Sequence, residues 1–167
     1  HLYSLPDQPN AIPYVTSYYK RRWGFCLTHK QRQSLEPGRY HAVIDSDLKP
    51  GVLNYGELIL SGNSEKEILL STYICHPSMA NDNLSGIVVS LFLVKYLLSL
   101  KQTNYSYRFV FLPETIWAIA YCARNKDVMR KIDVGLVLST IGGPGALGFK
   151  ESWQSNHWIN DLVREVL

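Results

Sequence analysis

From residue 67 onward, apolar runs of strand length alternate with stretches that have helical spacing. The runs over 67–75, 107–112 and 134–141 predict strands, the first and third of them buried on both faces. Helices are predicted over 84–100, from 115 to about 130, and from 155 or 156 onward. Because strand–helix units in succession are typical of parallel sheets, the sequence predicts an α/β sandwich around a largely parallel sheet.

The first part of the chain has a different pattern. Residues 1–22 are rich in proline, tyrosine and polar residues, which predicts an irregular segment or linker. Residues 23–62 contain two short candidate strands, at 40–45 and 54–60, with Pro-Gly turns before each of them. We therefore predict a small β-rich domain over 23–62, followed by the α/β core over 63–167.

The composition is that of an ordinary globular protein, with 46% hydrophobic and 19% charged residues. The three cysteines, Cys26, Cys75 and Cys122, have no CxxC spacing and suggest neither a zinc knuckle nor a disulfide framework. Cys26 and Cys75 lie in apolar runs, where a free cysteine behaves as a small buried hydrophobe. We expect reduced thiols and a cytoplasmic protein.

The first residues, His1–Ser4, have neither a starting Met nor a basic region, so we expect no signal peptide there. The chain begins at His1 rather than at Met and ends within a helical pattern, so we expect a C-terminally truncated fragment of a longer protein. Ser90, Lys95 and Ser99 interrupt the longest apolar stretch, which argues against a membrane span.

A net charge of +3 is too small to predict nucleic-acid binding by itself. One basic cluster, Lys20–Arg22, is flanked by Tyr18, Tyr19 and Trp23, and aromatic residues interleaved with basic ones can stack on single strands. Such a cluster is more often a solvated rim beside an aromatic patch. We expect no nucleic-acid partner. Steeply salt-dependent binding would be the contrary observation.

Polar clusters follow each of the three predicted strands of the core, at 76–83, 113–115 and 142–145. In open α/β sheets, ligands bind beyond the carboxyl ends of the strands. We therefore expect these three clusters to converge on one edge of the sheet, where a hydrolase would place its site.

His76 and Asp82 are the candidate metal ligands. An imidazole at the end of a buried strand and a carboxylate six residues later, at a helix N-terminus, can reach one divalent ion, and zinc accepts both ligand types. The alternative is structural: Asp82 caps the helix and His76 hydrogen-bonds the turn. The run from Asp82 through Asn83, Ser85 and Gly86 into a helix favours the metal site.

Glu114 is the candidate acid/base. It follows a strand and a proline, where an isolated carboxylate needs an explanation. It could stabilise the dipole of the next helix, which is worth under ~1 kcal/mol. It could instead accept a proton from metal-activated water and return it to a leaving amine.

The segment from His76 to Gly86 reads HPSMANDNLSG and resembles the metal-binding segment of the co-catalytic zinc aminopeptidases. In that segment a histidine ligand precedes an aspartate that bridges two zinc ions, and Asn-x-Ser-Gly opens a helix. The chain resembles more closely the bacterial family described as polysaccharide biosynthesis proteins with an aminopeptidase-like domain. The matching segments are LPDQP at 5–9, IPYVTSYY at 12–19, WGFC at 23–26, YICHPS at 73–78 and PETI at 113–116.

This resemblance implies a phosphorylase/hydrolase-like α/β/α core of the zinc exopeptidase kind, with a small β domain inserted near 23–62 and residues 1–22 belonging to the core or to a linker. His76 corresponds to the terminal ligand of one zinc and Asp82 to the bridging carboxylate, so the implied cofactor is one or two Zn²⁺ ions.

The resemblance is incomplete at the second motif. The aminopeptidases have a Glu-Glu pair, in which the first is the base and the second a ligand of the other zinc, whereas here Glu114 is followed by Thr115. If Glu114 matches the first, the second zinc loses a ligand; if it matches the second, the base is missing. We favour the first alignment, because Ile116 then takes the place of the residue after the pair.

Further departures concern the rest of the site. Trp117 stands where the family usually has glycine, and is expected to crowd the rim or alter the helix start. The family also has an acidic residue near the positions of Gly142 and Gly143, whereas this chain has Gly143-Pro144-Gly145 there. The family's later histidine would lie beyond Leu167, and His157 is expected to be an exposed helical residue instead. The fragment alone is therefore expected to bind zinc weakly and to be inactive.

Two classes of function follow. The first is a zinc-dependent aminopeptidase or amidohydrolase that acts on a small peptide or an amide-bearing glycan precursor. The second is a catalytically degenerate scaffold or binding module, which Thr115, Trp117 and Gly143 favour. We expect no membrane partner, and a homo-oligomer is compatible with either class.

Overall fold

The structure is a computed structural model, and it describes residues 1–16, 20–47, 49–77 and 79–167. Tyr18 and Tyr19 of the aromatic patch, and Ser78 of the segment that resembles a metal-binding loop, lie outside the described residues. The chain forms two compact units, His1–Lys49 and Pro50–Leu167. This division differs from the predicted boundaries after residues 22 and 62.

The described residues of the first unit, 1–16, 20–47 and 49, form little regular structure. Strand β1 (Leu2–Tyr3) pairs in parallel with β2 (Phe25–Cys26), and helix α1 spans His29–Gln33. Thr28 and Gln31 form a capping box that satisfies the first backbone amides of α1. The strand predicted over 40–45 is absent, since its apolar side chains are exposed and have no neighbouring strand to pair with.

The second unit is built on a four-stranded sheet of β3 (Gly56–Leu60), β4 (Glu67–Tyr73), β5 (Ser106–Leu112) and β6 (Ile132–Val137). The strand order is β3-β5-β4-β6. Strand β4 runs parallel to both β5 and β6, whereas β3 runs antiparallel to β5. The predicted mostly parallel α/β sheet is therefore confirmed. Strand β3, which we predicted as part of a separate β-rich domain, belongs to this sheet.

Four helices accompany the sheet: α2 (Asn81–Ser99), α3 (Ile116–Arg124), α4 (Lys126–Met129) and α5 (Trp158–Val166). The single helix predicted over 115–130 is broken at Asn125. The backbone dihedral angles of Asn125 are not helical, and its side chain donates a hydrogen bond to the Tyr121 carbonyl. Helix α5 begins two to three residues later than predicted, because His157 caps it through a side-chain bond to the Ile159 amide.

Helices α2 and α3 cover opposite faces of the sheet. Successive side chains of a strand point to opposite faces. Phe109 of β5 packs with Leu70 and Val94 on the α2 side, whereas its neighbour Val110 packs with Leu112 and Tyr121 on the α3 side. Helix α2, which follows β4, and helix α3, which follows β5, therefore begin at the same edge of the sheet and pack on opposite faces of it.

Helix α2 is long and apolar enough, by length and composition alone, to cross a membrane, although we predicted that its polar residues would exclude this. Its inner residues, Asn83, Gly86, Ser90 and Val94, are buried against the sheet. A core helix of a globular domain passes the same test of length and composition, so the finding is weak evidence for a membrane span.

The predicted burial of two cysteines is wrong. Cys26, Cys75 and Cys122 are all free thiols, and all three are exposed. Cys75 is exposed because β4 ends at Tyr73, two residues earlier than the apolar run suggested. Its thiol therefore lies in the turn after the strand rather than in the core.

Candidate functional site

The three predicted site residues lie in two turns at one edge of the sheet. His76 follows the end of β4, Asp82 lies at the start of α2, and Glu114 lies between β5 and α3. Because β4 and β5 are adjacent and parallel, with Tyr73 level with Leu112, both turns leave the sheet at the same edge. This is the convergence that the sequence predicted.

His76 and Asp82 approach each other across the first turn. The Nε2 atom of His76 lies 3.7 Å from Oδ2 of Asp82, and the two side chains are 50% and 54% exposed. Two ligands of a tetrahedral zinc, with bonds of about 2.0–2.1 Å, lie roughly 3.3–3.4 Å apart. A small rotation of either side chain would therefore place both atoms at coordinating distance, in a position that solvent can reach.

The hydrogen bond of the other ring nitrogen determines which tautomer His76 adopts. Its Nδ1 lies 3.0 Å from the Pro77 carbonyl oxygen, which can only accept, so Nδ1 carries the hydrogen. In the neutral ring this leaves the Nε2 lone pair directed at Asp82 and free for a metal. The Pro77 carbonyl and, more weakly, the Asp82 and Glu114 carboxylates raise the pKa of His76.

Tyr73 is a site residue that sequence reasoning missed. Its hydroxyl donates to Oδ1 of Asp82 at 2.6 Å and lies 2.8 Å from the Ser139 hydroxyl. One carboxylate oxygen of Asp82 is therefore held by Tyr73 and the other faces His76. Burial and the bond to Asp82 raise the pKa of Tyr73, so it stays a donor. The signal in the sequence was the position of Tyr73 at the start of the YICHPS segment, three residues before His76.

The predicted alternative for Asp82, a helix cap, is not what the structure has. The N-cap residue Ala80 makes no side-chain capping bond, and Asp82 itself has extended rather than helical dihedral angles. The alternative for His76, a hydrogen bond within the turn, is present as the bond to Pro77. Since that bond uses Nδ1 alone, it leaves Nε2 available.

Asn83 anchors the turn from inside. It is fully buried, and its amide nitrogen donates to the Thr72 hydroxyl at 2.7 Å and to the Leu138 carbonyl at 3.2 Å. Its amide oxygen accepts from the Thr140 backbone at 2.9 Å. One side chain thus joins β4, α2 and the segment after β6. Gly86 lies beside it, where a Cβ atom would come within 2.4 Å of the Thr72 hydroxyl oxygen.

We expect Asn83→Ala to lower the free energy of unfolding by about 2–3 kcal/mol, because it removes the hydrogen bonds of a fully buried amide group and opens a cavity at its position. Chemical denaturation measures the change. The matched control is Asn81→Ala, which removes an exposed amide that bonds the same loop at Thr140 and Gly142. A loss from Asn83→Ala no larger than that of the control would contradict the anchoring role.

Glu114 is exposed and lies just before α3 rather than in its first turn. Its Oε2 atom accepts a weak hydrogen bond from the Cys75 thiol at 3.7 Å, which brings it beside the His76 turn. Thr115 follows with a φ of 55°, a conformation that is uncommon for a β-branched residue and costs about 1–3 kcal/mol. The strained residue thus directly follows the candidate base.

Helix α3 begins at Ile116, one residue before Trp117, and the half-buried indole packs against the cluster of Val110, Leu112 and Tyr121. The expected crowding of the rim by Trp117 remains a prediction. His157 is half-buried as the N-cap of α5, rather than an exposed helical residue.

The described residues do not contain a group of three or more His, Cys, Asp or Glu side chains that could hold a metal. Among them, the nitrogen of His76 and the oxygen of Asp82 approach to 3.7 Å. Both suit zinc in type and in spacing, so the pair fits part of a zinc site and needs further ligands to complete it.

Comparisons with known proteins agree with the sequence resemblance. A "Putative polysaccharide biosynthesis protein with aminopeptidase-like domain" from Clostridium acetobutylicum is 46% identical over all 167 residues of the chain. A crystal structure of a "putative peptidase" from the same organism superposes with a TM-score of 0.67, at 49% identity over 86% of the chain. The chain spans 38% of the length of the first relative and 34% of the second.

The chain also matches a protein-family model. The match covers residues 4–167, which is nearly the whole chain, and the family is described as a domain of unknown function, DUF4910. The resemblance to polysaccharide biosynthesis proteins with an aminopeptidase-like domain is thus confirmed at the level of close relatives. By its extent along the sequence, this match makes the chain a member of the DUF4910 family.

Proposed function

We propose that the protein is a zinc-dependent hydrolase of amide bonds, with an α/β/α core of the zinc exopeptidase kind. The observation that carries the proposal is the approach of His76 Nε2 to Asp82 Oδ2 at the carboxyl edge of the sheet. The names of the relatives, a peptidase and an aminopeptidase-like protein, support the same class of reaction.

In this proposal His76 and Asp82 hold the metal, and ligands from elsewhere in the protein complete the set. When bound, zinc supplies Lewis-acid chemistry, which lowers the pKa of a coordinated water to about 7 and polarises a carbonyl. Tyr73 orients the carboxylate of Asp82, and the Pro77 carbonyl orients the ring of His76. Glu114 accepts the proton of the attacking water and donates it to the leaving amine.

The substrate class in this proposal is a small peptide or an amide on a glycan precursor. The peptide reading follows from the aminopeptidase-like chemistry. The glycan reading rests on the name of the Clostridium acetobutylicum relative, which refers to polysaccharide biosynthesis.

The proposal predicts that His76→Ala and Asp82→Ala each abolish zinc binding, because each removes one of two converging donors. Tyr73→Phe keeps both donors but frees the carboxylate, and should weaken zinc binding by about 10- to 100-fold. The measurement is zinc content of the full-length protein by elemental analysis, with affinities from competition against a chelator.

His29→Ala is the matched control, since His29 lies in α1 and its ring is hydrogen-bonded to Ser4. The assay then follows release of amine from a panel of amino-acid amides and N-acylated amino sugars. We expect chelation to stop release and added zinc to restore it. Full zinc content in either His76→Ala or Asp82→Ala would refute the site.

A second candidate function is a non-catalytic scaffold. It is favoured by the incomplete donor set in the described part of the chain and by Thr115 at the position of the second aminopeptidase glutamate. A full-length protein without bound metal, and without amide hydrolysis that depends on Glu114, would favour the scaffold over the enzyme.

A further inference from the structure

A groove with aromatic walls lies along α3 in the second unit. Its volume is about 520 Å³, within the range of pockets that hold small molecules. It is lined by aromatic rings and aliphatic side chains, and by one arginine and one asparagine at the end of α3. The residues that shape it most are Tyr55, Leu112, Trp117, Tyr121 and Arg124.

Three aromatic side chains line the groove: Tyr55, Trp117 and Tyr121. The rings of Tyr55 and Tyr121 meet edge to face, with centroids 5.2 Å apart. Tyr121 is buried and its hydroxyl donates to Glu57, so this polar group is already satisfied. Burial raises the pKa of Tyr121, which keeps the hydroxyl neutral. Trp117 is fixed by its packing on the cluster of Val110, Leu112 and Tyr121.

The outer wall is apolar and open. Val52 is 77% exposed and Leu53 is 47% exposed, although both line the groove. Aromatic and aliphatic surface of this kind favours an apolar or ring-shaped ligand, because burying it removes apolar area from water.

Arg124 gives the groove a charge. It is the single ionic side chain among the residues that line it, and its side chain forms no salt bridge or hydrogen bond in the described part of the chain. Arg130, six residues later, is instead paired with Asp127 at 2.6 Å. A guanidinium without a protein partner at the edge of an apolar groove complements a carboxylate on a ligand.

We infer that this groove binds a small molecule that has a flat apolar or aromatic body and a carboxylate. The body lies against Trp117, Tyr55 and the ring of Tyr121, and the carboxylate reaches Arg124. The inference deepens the proposed function, on which its link to catalysis rests: Leu112 and Trp117 flank the turn that carries Glu114, so one end of the groove lies beside that turn.

The test is isothermal titration calorimetry on the protein without added metal, with 3-phenylpropionate as the probe. Two analogues separate the contributions of the ring and the carboxylate of this probe: propionate lacks the ring, and 3-phenylpropanol lacks the charge. We expect 3-phenylpropionate to bind about tenfold or more tightly than either analogue, which corresponds to about 1.4 kcal/mol.

The variants locate the binding. Arg124→Gln should reduce the affinity for 3-phenylpropionate to that for the alcohol, whereas Arg130→Gln, which alters the paired surface arginine, should leave it unchanged. Tyr55→Ala should weaken both phenyl-bearing probes by about fivefold or more, and the half-exposed position of Tyr55 lets this variant fold. Equal affinity for 3-phenylpropionate and propionate, or no response to Arg124→Gln and Tyr55→Ala, would overturn the inference.

The same variants keep the two proposals apart. His76→Ala should lose zinc but retain 3-phenylpropionate binding. If the groove binds the probe and the wild-type protein hydrolyses no amide, the inferred ligand site is supported and the proposed function is refuted. If amides are hydrolysed but the probe does not bind, only the inferred ligand site is refuted.

Discussion

Replacing Arg108 with methionine is expected to lower the free energy of unfolding by about 3–5 kcal/mol, because the substitution strands a buried carboxylate. The Arg108 side chain is 7% exposed and that of Glu67 is 8% exposed. The guanidinium holds Glu67 through two bonds, Nε to Oε2 at 2.5 Å and Nη2 to Oε1 at 2.9 Å. Urea denaturation monitored by circular dichroism measures the loss.

The large effect depends on leaving the partners unpaired rather than on the strength of the ion pair. Arg108 also bonds Glu57 at 2.7 Å, and Tyr121 donates to the same Glu57 oxygen, so β3, β4, β5 and α3 meet at this group. Arg108→Met combined with Glu67→Leu should recover most of the loss, because the pair is then removed as a whole.

Arg130→Met is the matched control for this prediction. It breaks a pair with Asp127 in which both side chains are more than 75% exposed, and such pairs contribute about 0–1 kcal/mol. Equal losses from Arg108→Met and Arg130→Met would show that the buried network does not stabilise the sheet.

Glu114→Gln is expected to lower kcat/KM for amide hydrolysis by about 10²- to 10⁴-fold while leaving zinc content unchanged. The substitution keeps the size and shape of the side chain, but it replaces one carboxylate oxygen with an amide nitrogen and so removes the ability to take a proton. Glu114 is exposed at the carboxyl edge of the sheet, beside the turn that carries His76, where solvent and substrate can reach it. The measurement is single-turnover and steady-state kinetics on the most rapidly cleaved amide.

Glu65→Gln serves as the control, since Glu65 is also exposed but lies at the opposite end of β4. It should leave kcat/KM within about twofold of the wild-type value. If Glu114→Gln also lowers zinc content, Glu114 would be a metal ligand rather than the base, as in the second of the two alignments considered for Glu114 and Thr115. Unchanged kinetics would remove it from the reaction altogether.

Strand and helix periodicity was sufficient to predict the core of the second unit. The strands β4, β5 and β6, and the helix after His76, were recognised because their apolar faces are continuous along the sequence. Boundaries were less accurate. Helix α3 ends before Asn125, whose side chain bonds the Tyr121 carbonyl, and periodicity does not mark such a residue. Strand β4 ends at Tyr73, although the apolar run continues to Cys75.

The first 62 residues were predicted less well. The strand expected over 40–45 does not form, and the strand at Gly56–Leu60 pairs with β5 rather than within a separate module. Strand pairing depends on which neighbour is available in space, and short alternating segments carry no information about that neighbour. The proposed insertion over 23–62 remains a prediction.

The candidate site shows the same division between local and tertiary information. His76, Asp82 and Glu114 were identified from residue types at strand ends and from a motif, because the order of ligands along the chain is a local property. The roles of Tyr73 and Asn83 were not, because their contacts are set by the folded turn. Tyr73 bonds Asp82 and Ser139, and Asn83 bonds Thr72, Leu138 and Thr140. The zinc ligands and the acid/base themselves remain predictions.

Residue pattern alone was enough for the fold class, the family and the edge of the sheet on which the polar residues gather, since all three follow from short-range periodicity and contiguous motifs. Packing in three dimensions decided the buried Arg108 network, the anchoring of the Asp82 turn and the groove beside Trp117. These features join residues separated by tens of positions, and their energies come from burial and from hydrogen-bond geometry that exist only once the sheet has formed.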